Sequence, residues 1–273
     1  MKRKAKRPDK YLLYQHAVQS PEVHVDWMLS AWKDLRRSGP APKLLREDFC
    51  GTYAISCEWV KRSSEHRAIG LDLDPEPLAW GLKHNWKKLD SSQRGRVDAR
   101  EANVLNSTAR GADLLFVGNF SFFIFKERAQ LLNYFRIARS SLSSRGLFML
   151  EMAGGPGMIA PLRERKTVRI EDGKSLKKFQ YIWHQKKFDP ISHDALYAIH
   201  FKLEDGSRLD DAFVYDWRLW SIPEVKDLLL EAGFSDAVVY WEKTQRGEGT
   251  GDYVRMLAGD NAYSWIAYVV GVK

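Results

Sequence analysis

The residues whose types and spacing suit chemistry begin in Leu44-Leu45-Arg46-Glu47-Asp48-Phe49-Cys50-Gly51-Thr52-Tyr53-Ala54-Ile55, which reads as a strand ending in acidic residues, a tight turn and the start of a helix. About twenty residues on, the spacing typical of a ribose-binding acid, a second strand, Ala68-Ile69-Gly70-Leu71, ends at Asp72. From there a carboxylate can accept hydrogen bonds from two ribose hydroxyls. A glycine at the turn lets a ligand approach the backbone closely. Two further strand ends offer amides, Ala102-Asn103-Val104 and Gly118-Asn119-Phe120-Ser121, and an amide both donates and accepts. Taken alone, Cys50-Gly51-Thr52 is a joint that any α/β protein could use. Combined with Asp72 and the order of the strands, it points to a site for a nucleotide-like cofactor.

The elements that must position these residues alternate. Expected strands lie at Lys43–Arg46, Ala68–Leu71, Val97–Ala102, Asp113–Val117 and Gly146–Met152. Helices are expected at Thr52–Lys61, Pro75–Trp86 and Lys126–Ser141, after two N-terminal helices over Tyr11–Ala17 and Val23–Arg36 that stop at Gly39-Pro40-Ala41-Pro42. Such alternation implies a doubly wound parallel sheet with helices on both faces. Beyond Gly154-Gly155-Pro156-Gly157 the pattern becomes strands alone, at Phe179–Phe188, Ala195–Leu203 and Leu209–Trp217, with a hairpin turn at Glu204-Asp205-Gly206-Ser207. Ser221 with Glu224 forms a capping box and Gly233 a stop. Strands at Ala237–Trp241 and Ser264–Val270 close the chain around a glycine-rich loop at Gly247–Gly251.

Composition bounds the alternatives. The chain has 273 residues, 44% hydrophobic and 29% charged, which is globular rather than disordered. No apolar run approaches the roughly 18 to 20 residues of a membrane span, and the charged N-terminus lacks a signal-peptide apolar region. Two cysteines, Cys50 and Cys57, without ligand spacing, support neither a disulfide scaffold nor a zinc site. A cytoplasmic protein without a metal is expected. Most of the formal charge of +8 comes from residues 1–10, where six basic side chains face one acid, Asp9. A solvated tail is the favoured reading of this arm, and phosphate binding by residues 2–10 the less favoured one.

The sequence resembles the class I S-adenosylmethionine-dependent methyltransferases over roughly residues 11–270, and in layout the small-molecule N-methyltransferases. Cys50-Gly51-Thr52 is similar to the centre of that family's glycine-rich first motif, and Gly70-Leu71-Asp72 with Asp74-Pro75-Glu76-Pro77-Leu78 to its second. Asp113–Ser121 resembles the fourth-strand motif, and Phe179–Trp217 the extra sheet inserted after the fifth strand. The first motif departs from the family pattern: aligned on Gly51, the outer glycine positions hold Phe49 and Tyr53.

The resemblance implies a seven-stranded, mostly parallel sheet in a domain over 43–270, with an antiparallel insertion at 158–217 and a helical cover at 11–42 behind a 1–10 tail. It also implies S-adenosylmethionine as cofactor, with Arg46 on its carboxylate, Glu47, Cys50, Gly51 and Thr52 under its methionyl part, Asp72 and Leu73 at the ribose, and Asn103 with Val104 beside adenine. Asn119 falls at the reacting centre, Tyr14 in the cover, and His16 is the candidate base for an amine acceptor. Tyr53 is expected to turn its ring away from the cofactor, beside the N-terminal cover. The function implied is methyl transfer to a small polar acceptor, an amine. Two other readings remain: an RNA or protein methyltransferase that uses the basic arm, and a non-catalytic protein that keeps the fold with a degenerate loop.

Overall fold

The computed structural model describes residues 8–172, 175–245 and 248–273. The chain divides into two units. The larger comprises Pro21–Pro156 and Leu219–Lys273, and the smaller comprises the segment ending at Ser20 together with Gly157–Arg218.

The smaller unit holds helix α1 (Lys10–Ala17), and the larger opens with helix α2 (Pro21–Leu35). Asp9 caps α1, its carboxylate accepting the Tyr11 and Leu12 N–H groups at 3.1 and 3.2 Å. The larger unit continues with β1 (Leu44–Asp48), α3 (Ala54–Lys61), β2 (Arg67–Asp72) and α4 (Pro75–His84). After a single turn, α5 (Ser91–Arg94), come β3 (Val97–Glu101), β4 (Ala112–Val117), α6 (Arg128–Ser141) and β5 (Leu142–Gly154). Next along the chain are β6 (Leu162–Asp172), β7 (Ser175–Phe188), β8 (Asp194–Leu203) and β9 (Arg208–Arg218), which build an antiparallel sheet in the smaller unit. Helix α7 (Ile222–Glu231) and strands β10 (Asp236–Gln245), β11 (Glu248–Met256) and β12 (Trp265–Val272) return to the larger unit.

Its sheet runs β11-β10-β12-β5-β4-β1-β2-β3. The β1 to β5 pairs are parallel, and β12, β10 and β11 pair antiparallel. The carboxyl ends of β1, β2 and β4 therefore open on one edge. The two helix-covered faces explain why Leu114, Phe116, Leu147 and Met149 are all fully buried.

Three expectations need correction. The sheet has eight strands rather than seven, because most of the expected glycine-rich loop at 247–251 lies in β11, where Glu242 pairs with Tyr253 and Trp241 with Val254. The antiparallel sheet has four strands rather than three; β6, Arg-rich and without the apolar alternation of its neighbours, was unreadable as a strand. The helical cover at 11–42 is split, with α1 in the smaller unit and α2 in the larger. The expectation of a tail at 1–10 lies outside the described residues over positions 1–7, as does the start of the 247–251 loop. No helix among the described residues is long and apolar enough to cross a membrane.

Candidate functional site

The loop after β1 carries the first half of the site. Phe49, Gly51 and Tyr53 have φ of 57°, 52° and 42°, so the left-handed backbone recurs at the three positions where the resemblance places glycines. For Phe49 and Tyr53 that conformation costs roughly 1–2 kcal/mol each, and packing offsets it. The Phe49 ring meets Phe125 and Tyr134 at 6.0 and 5.9 Å, and Tyr53 is 2% exposed. A Cβ on Gly81 of α4 would come within 2.5 Å of the Thr52 carbonyl and 2.6 Å of the Tyr53 ring. Tyr53 thus lies against α4, beside Leu78 and Trp86, in the same buried cluster as Val25, Trp27 and Met28 of α2. At Gly51 a Cβ would meet nothing within 4 Å. The loop there faces open space, as a cradle for a ligand must.

Tyr53, in the N-cap position of α3, supplies no side-chain cap. Glu47 does so from the strand: its carboxylate accepts the Ser56 N–H at 2.9 Å and the Ser56 hydroxyl at 2.5 Å. Burial pushes the Glu47 carboxyl up to about 7, against the two Ser56 hydrogen bonds and with the Asp72 and Asp48 charges. Glu47 therefore fixes the loop and helix from within.

Asp72 closes β2 and holds the same loop. One carboxylate oxygen accepts the Gly51 N–H at 2.7 Å, and the other accepts the Asp74 N–H at 2.9 Å. Burial raises its pKa, while the Asp74 and Gly51 N–H groups lower it. A carboxylate has about four acceptor positions, so capacity is left for two hydroxyls. Leu73 follows, 63% exposed, an apolar residue beside the acid.

Arg46 requires a correction. It is fully buried, donating to both oxygens of Asp48 at 2.7 and 3.1 Å, to the Ser141 hydroxyl at 2.9 Å and to the Val104 carbonyl at 3.2 Å. Tyr134 donates its hydroxyl to Asp48 at 2.9 Å. With alternation along β1, Arg46 and Asp48 face α6 while Glu47 faces α3, so Arg46 cannot meet a cofactor carboxylate. It braces from behind the loop carrying Asn103 and Val104. Asn103 accepts the Leu105 N–H through its side-chain oxygen at 2.9 Å, and Val104 is buried. Cys50 is also buried, its N–H on the Leu71 carbonyl at 2.9 Å, and Thr52 offers its carbonyl to the Asn85 amide at 2.9 Å.

Beyond β4, Asn119 and Phe120 are both left-handed, with φ of 52° and 58°. Consecutive non-glycine residues in this region mark a site that its surroundings over-determine. The determinant is Glu151 of β5, whose carboxylate accepts the Asn119 N–H at 2.5 Å. Sequence reasoning missed Glu151; its signal was a lone acid inside the apolar run Leu147-Phe148-Met149-Leu150-Glu151-Met152. Tyr14 and His16 belong to α1 of the smaller unit, where Tyr14 lies 4.8 Å from the Phe213 ring and His16 is exposed. In the larger unit, Gly51 and Asp72 are joined directly, and Asn119 stands at the end of a strand two places away.

No protein-family model matches the chain, and no curated protein does. Solved structures do match. DesVI of Streptomyces venezuelae is 16% identical, with 98% of this chain and 99% of that one covered at a TM-score of 0.70. This is a class I methyltransferase fold. The sugar N-methyltransferase KedS8 from Streptoalloteichus is 16% identical, covering 100% of this chain and 96% of that one at a TM-score of 0.66. CalS10, an amino pentose methyltransferase from Micromonospora echinaspora solved with S-adenosylmethionine bound, is 14% identical over 97% of this chain and 99% of that one, at 0.66.

Proposed function

We propose that this protein is an enzyme that transfers a methyl group from S-adenosylmethionine to a small polar acceptor, an amine. The observation that carries the reading is the pairing of Asp72 with Gly51: an acid at the end of β2 bonded to a loop glycine that faces open space. The amine is favoured because the similar structures include a sugar N-methyltransferase and an amino pentose methyltransferase.

Asp72 would hold the ribose hydroxyls, Gly51 would admit the methionyl part, and Leu73 and Asn103 would flank adenine. When bound, the cofactor supplies a methyl group already activated on a sulfonium. The residues of the chain then have to orient an acceptor and exclude water rather than perform difficult acid–base work. The Glu47–Ser56 cap and the Arg46 brace keep the two loops rigid. Asn119, at the end of β4, would face the reacting atoms. The test is calorimetric titration with S-adenosylmethionine and S-adenosylhomocysteine, followed by single-turnover assays over a panel of primary and secondary amines. Absence of binding to both cofactor forms would remove the reading.

A further inference from the structure

Charge is not spread evenly over the two units. Residues 1–20 and 157–218, which form the smaller unit, carry 18 lysines and arginines against 11 aspartates and glutamates, whereas the larger unit carries 25 against 24. Under a third of the residues thus hold +7 of the chain's formal +8. Net charge concentrated on one body is an electrostatic footprint for a polyanion.

Within the smaller unit the cations gather on one face of the antiparallel sheet. Side chains alternate along a strand, and Phe179, Tyr181, Ile199 and Phe201 pack with Leu13 of α1 on one face. By the strand register the opposite face receives Arg163, Arg165 and Arg169 of β6, Lys178 of β7 beside Arg169, and Lys202 of β8 beside Arg208 of β9. All six are exposed. Arg208 pairs with Asp210 at 2.8 Å, but Arg165, Arg169, Lys178 and Lys202 meet no carboxylate or hydrogen-bond partner among the described residues. The field of the cations is felt on the same face at His184, whose Nδ1 lies 3.2 Å from His200 Nε2. Burial, and then the Arg163 and Lys186 charges, push the His184 imidazole down against the Asp211 charge.

Three features choose the partner. Guanidinium groups match phosphate oxygens in a bidentate way, and β6 supplies three of them. From Arg163 to Arg169 the strand runs roughly 20 Å, the reach of several successive phosphates rather than of one small anion. No Phe, Tyr or Trp among the described residues lies on this face by the register, so it offers no platform on which the bases of a single strand could stack. A duplex, whose flank presents phosphates alone, is the better match. We infer that the face of the β6–β9 sheet opposite α1 is a docking surface for the phosphate backbone of double-stranded nucleic acid, held by Arg165, Arg169, Lys178 and Lys202 without reading of sequence. The inference goes beyond the methyl-transfer reading and does not rest on it, since none of these four residues is assigned to the cofactor. Their contacts position the protein on a duplex and carry no base information.

The probes are fluorescein-labelled DNA and RNA duplexes of about two helical turns, oligo-thymidine of the same length, polyglutamate, and phosphatidylserine vesicles. Full-length protein is titrated against each between roughly 50 and 300 mM salt, and anisotropy, or co-sedimentation for the vesicles, reports binding. The duplexes are expected to bind with a Kd of roughly 1–10 μM at the lowest salt, and affinity should fall with log salt at a slope of about 4, one cation released per phosphate met. Arg165→Gln with Arg169→Gln should weaken duplex binding at least fivefold and cut the slope by about 2. Lys178→Gln with Lys202→Gln should act alike, and either pair carries the test if the other fails to fold in thermal melts. Lys87→Gln with Lys88→Gln, two exposed lysines of the larger unit, should leave binding within twofold. No saturable duplex binding at the lowest salt overturns the surface. So does an equal loss in the Lys87 and Lys88 control, or full retention in both sheet variants, which would assign the binding to the six basic side chains of residues 1–10. Tighter binding of oligo-thymidine overturns the duplex, and equal or tighter binding of polyglutamate or vesicles overturns nucleic acid as the partner.

Discussion

The Glu47 carboxylate reaches nine residues forward to accept both the N–H and the hydroxyl of Ser56, closing the first turn of α3 where the left-handed Tyr53 offers no cap. The loop that would receive the cofactor is thus anchored by a buried acid whose carboxyl is raised to about 7 from an ordinary 4.5.

Glu47 has a direct consequence for stability. Between pH 4.5 and about 7 the folded protein holds a proton that the unfolded chain has released. Its contribution is fully present below pH 4.5 and is lost as pH rises through about 7, a slope worth on the order of 3 kcal/mol at most. Glu47→Gln keeps an acceptor for Ser56 and cannot titrate. Urea melts from pH 4.5 to 8 should show a flatter profile in that variant, with stability at pH 8 equal to or above wild type; an unchanged slope would mean that another group titrates.

Asp72→Ala should lower S-adenosylhomocysteine affinity at least tenfold. Each charge-assisted hydrogen bond it would make to a hydroxyl is worth roughly 1.5–3 kcal/mol, and about 1.4 kcal/mol is tenfold. The same change frees the Gly51 and Asp74 N–H groups, so some loss of fold stability, about 1–2 kcal/mol, should accompany it. Titrations and thermal melts on Asp72→Ala and Asp72→Asn together separate the two effects; wild-type affinity in both would exclude Asp72 from the cofactor site.

Arg46→Met should behave in the opposite way. It leaves Asp48 buried without its cation, a loss of about 3–5 kcal/mol, while affinity for the cofactor in the folded fraction stays within a few-fold. Pairing it with Asp48→Asn should restore much of the stability. A stable Arg46→Met protein with sharply weakened binding would return Arg46 to the pocket.

Tyr53→Gly removes a buried ring, a change that costs about 3–5 kcal/mol for comparable aromatic truncations, but it relieves a left-handed residue worth roughly 1–2 kcal/mol. A net loss of about 2 kcal/mol is expected, with no helix-propensity penalty because Tyr53 precedes the first helical residue. Cofactor affinity should stay within a few-fold. Denaturation paired with titration checks both; much tighter binding would show that the ring obstructs the pocket.

How much of this was readable differs from residue to residue. The positions of Gly51, Asp72 and Asn119 at strand ends were legible, because strand ends are set by local apolar runs and turns. The role of Arg46 was not, since one step of alternation decides whether a side chain at the end of β1 faces α3 or α6, and the helix packing that fixes this lies in Tyr134 and Ser141, far along the chain. Glu151 was hidden by its strand: its partner is a backbone N–H displayed only because Asn119 takes a left-handed conformation. Strand β11 escaped notice because its glycines read as a loop, whereas pairing with β10 supplies order that composition does not.

The division of the smaller unit into two segments of chain has a consequence for synthesis. Helix α1 is made before the larger unit, and its packing partners Val168, Phe179, Ile199 and Phe201 emerge only after the first five sheet strands of that unit. At translation speeds of about 5–20 residues per second, Leu13 and Tyr14 wait roughly ten to thirty seconds for a surface to cover them. During that interval the nascent chain exposes the Leu13 side of α1, and the smaller unit completes itself at Arg218 while the larger unit still lacks β10, β11 and β12. Chaperone dependence in this protein should therefore be greatest for chains stalled before β10.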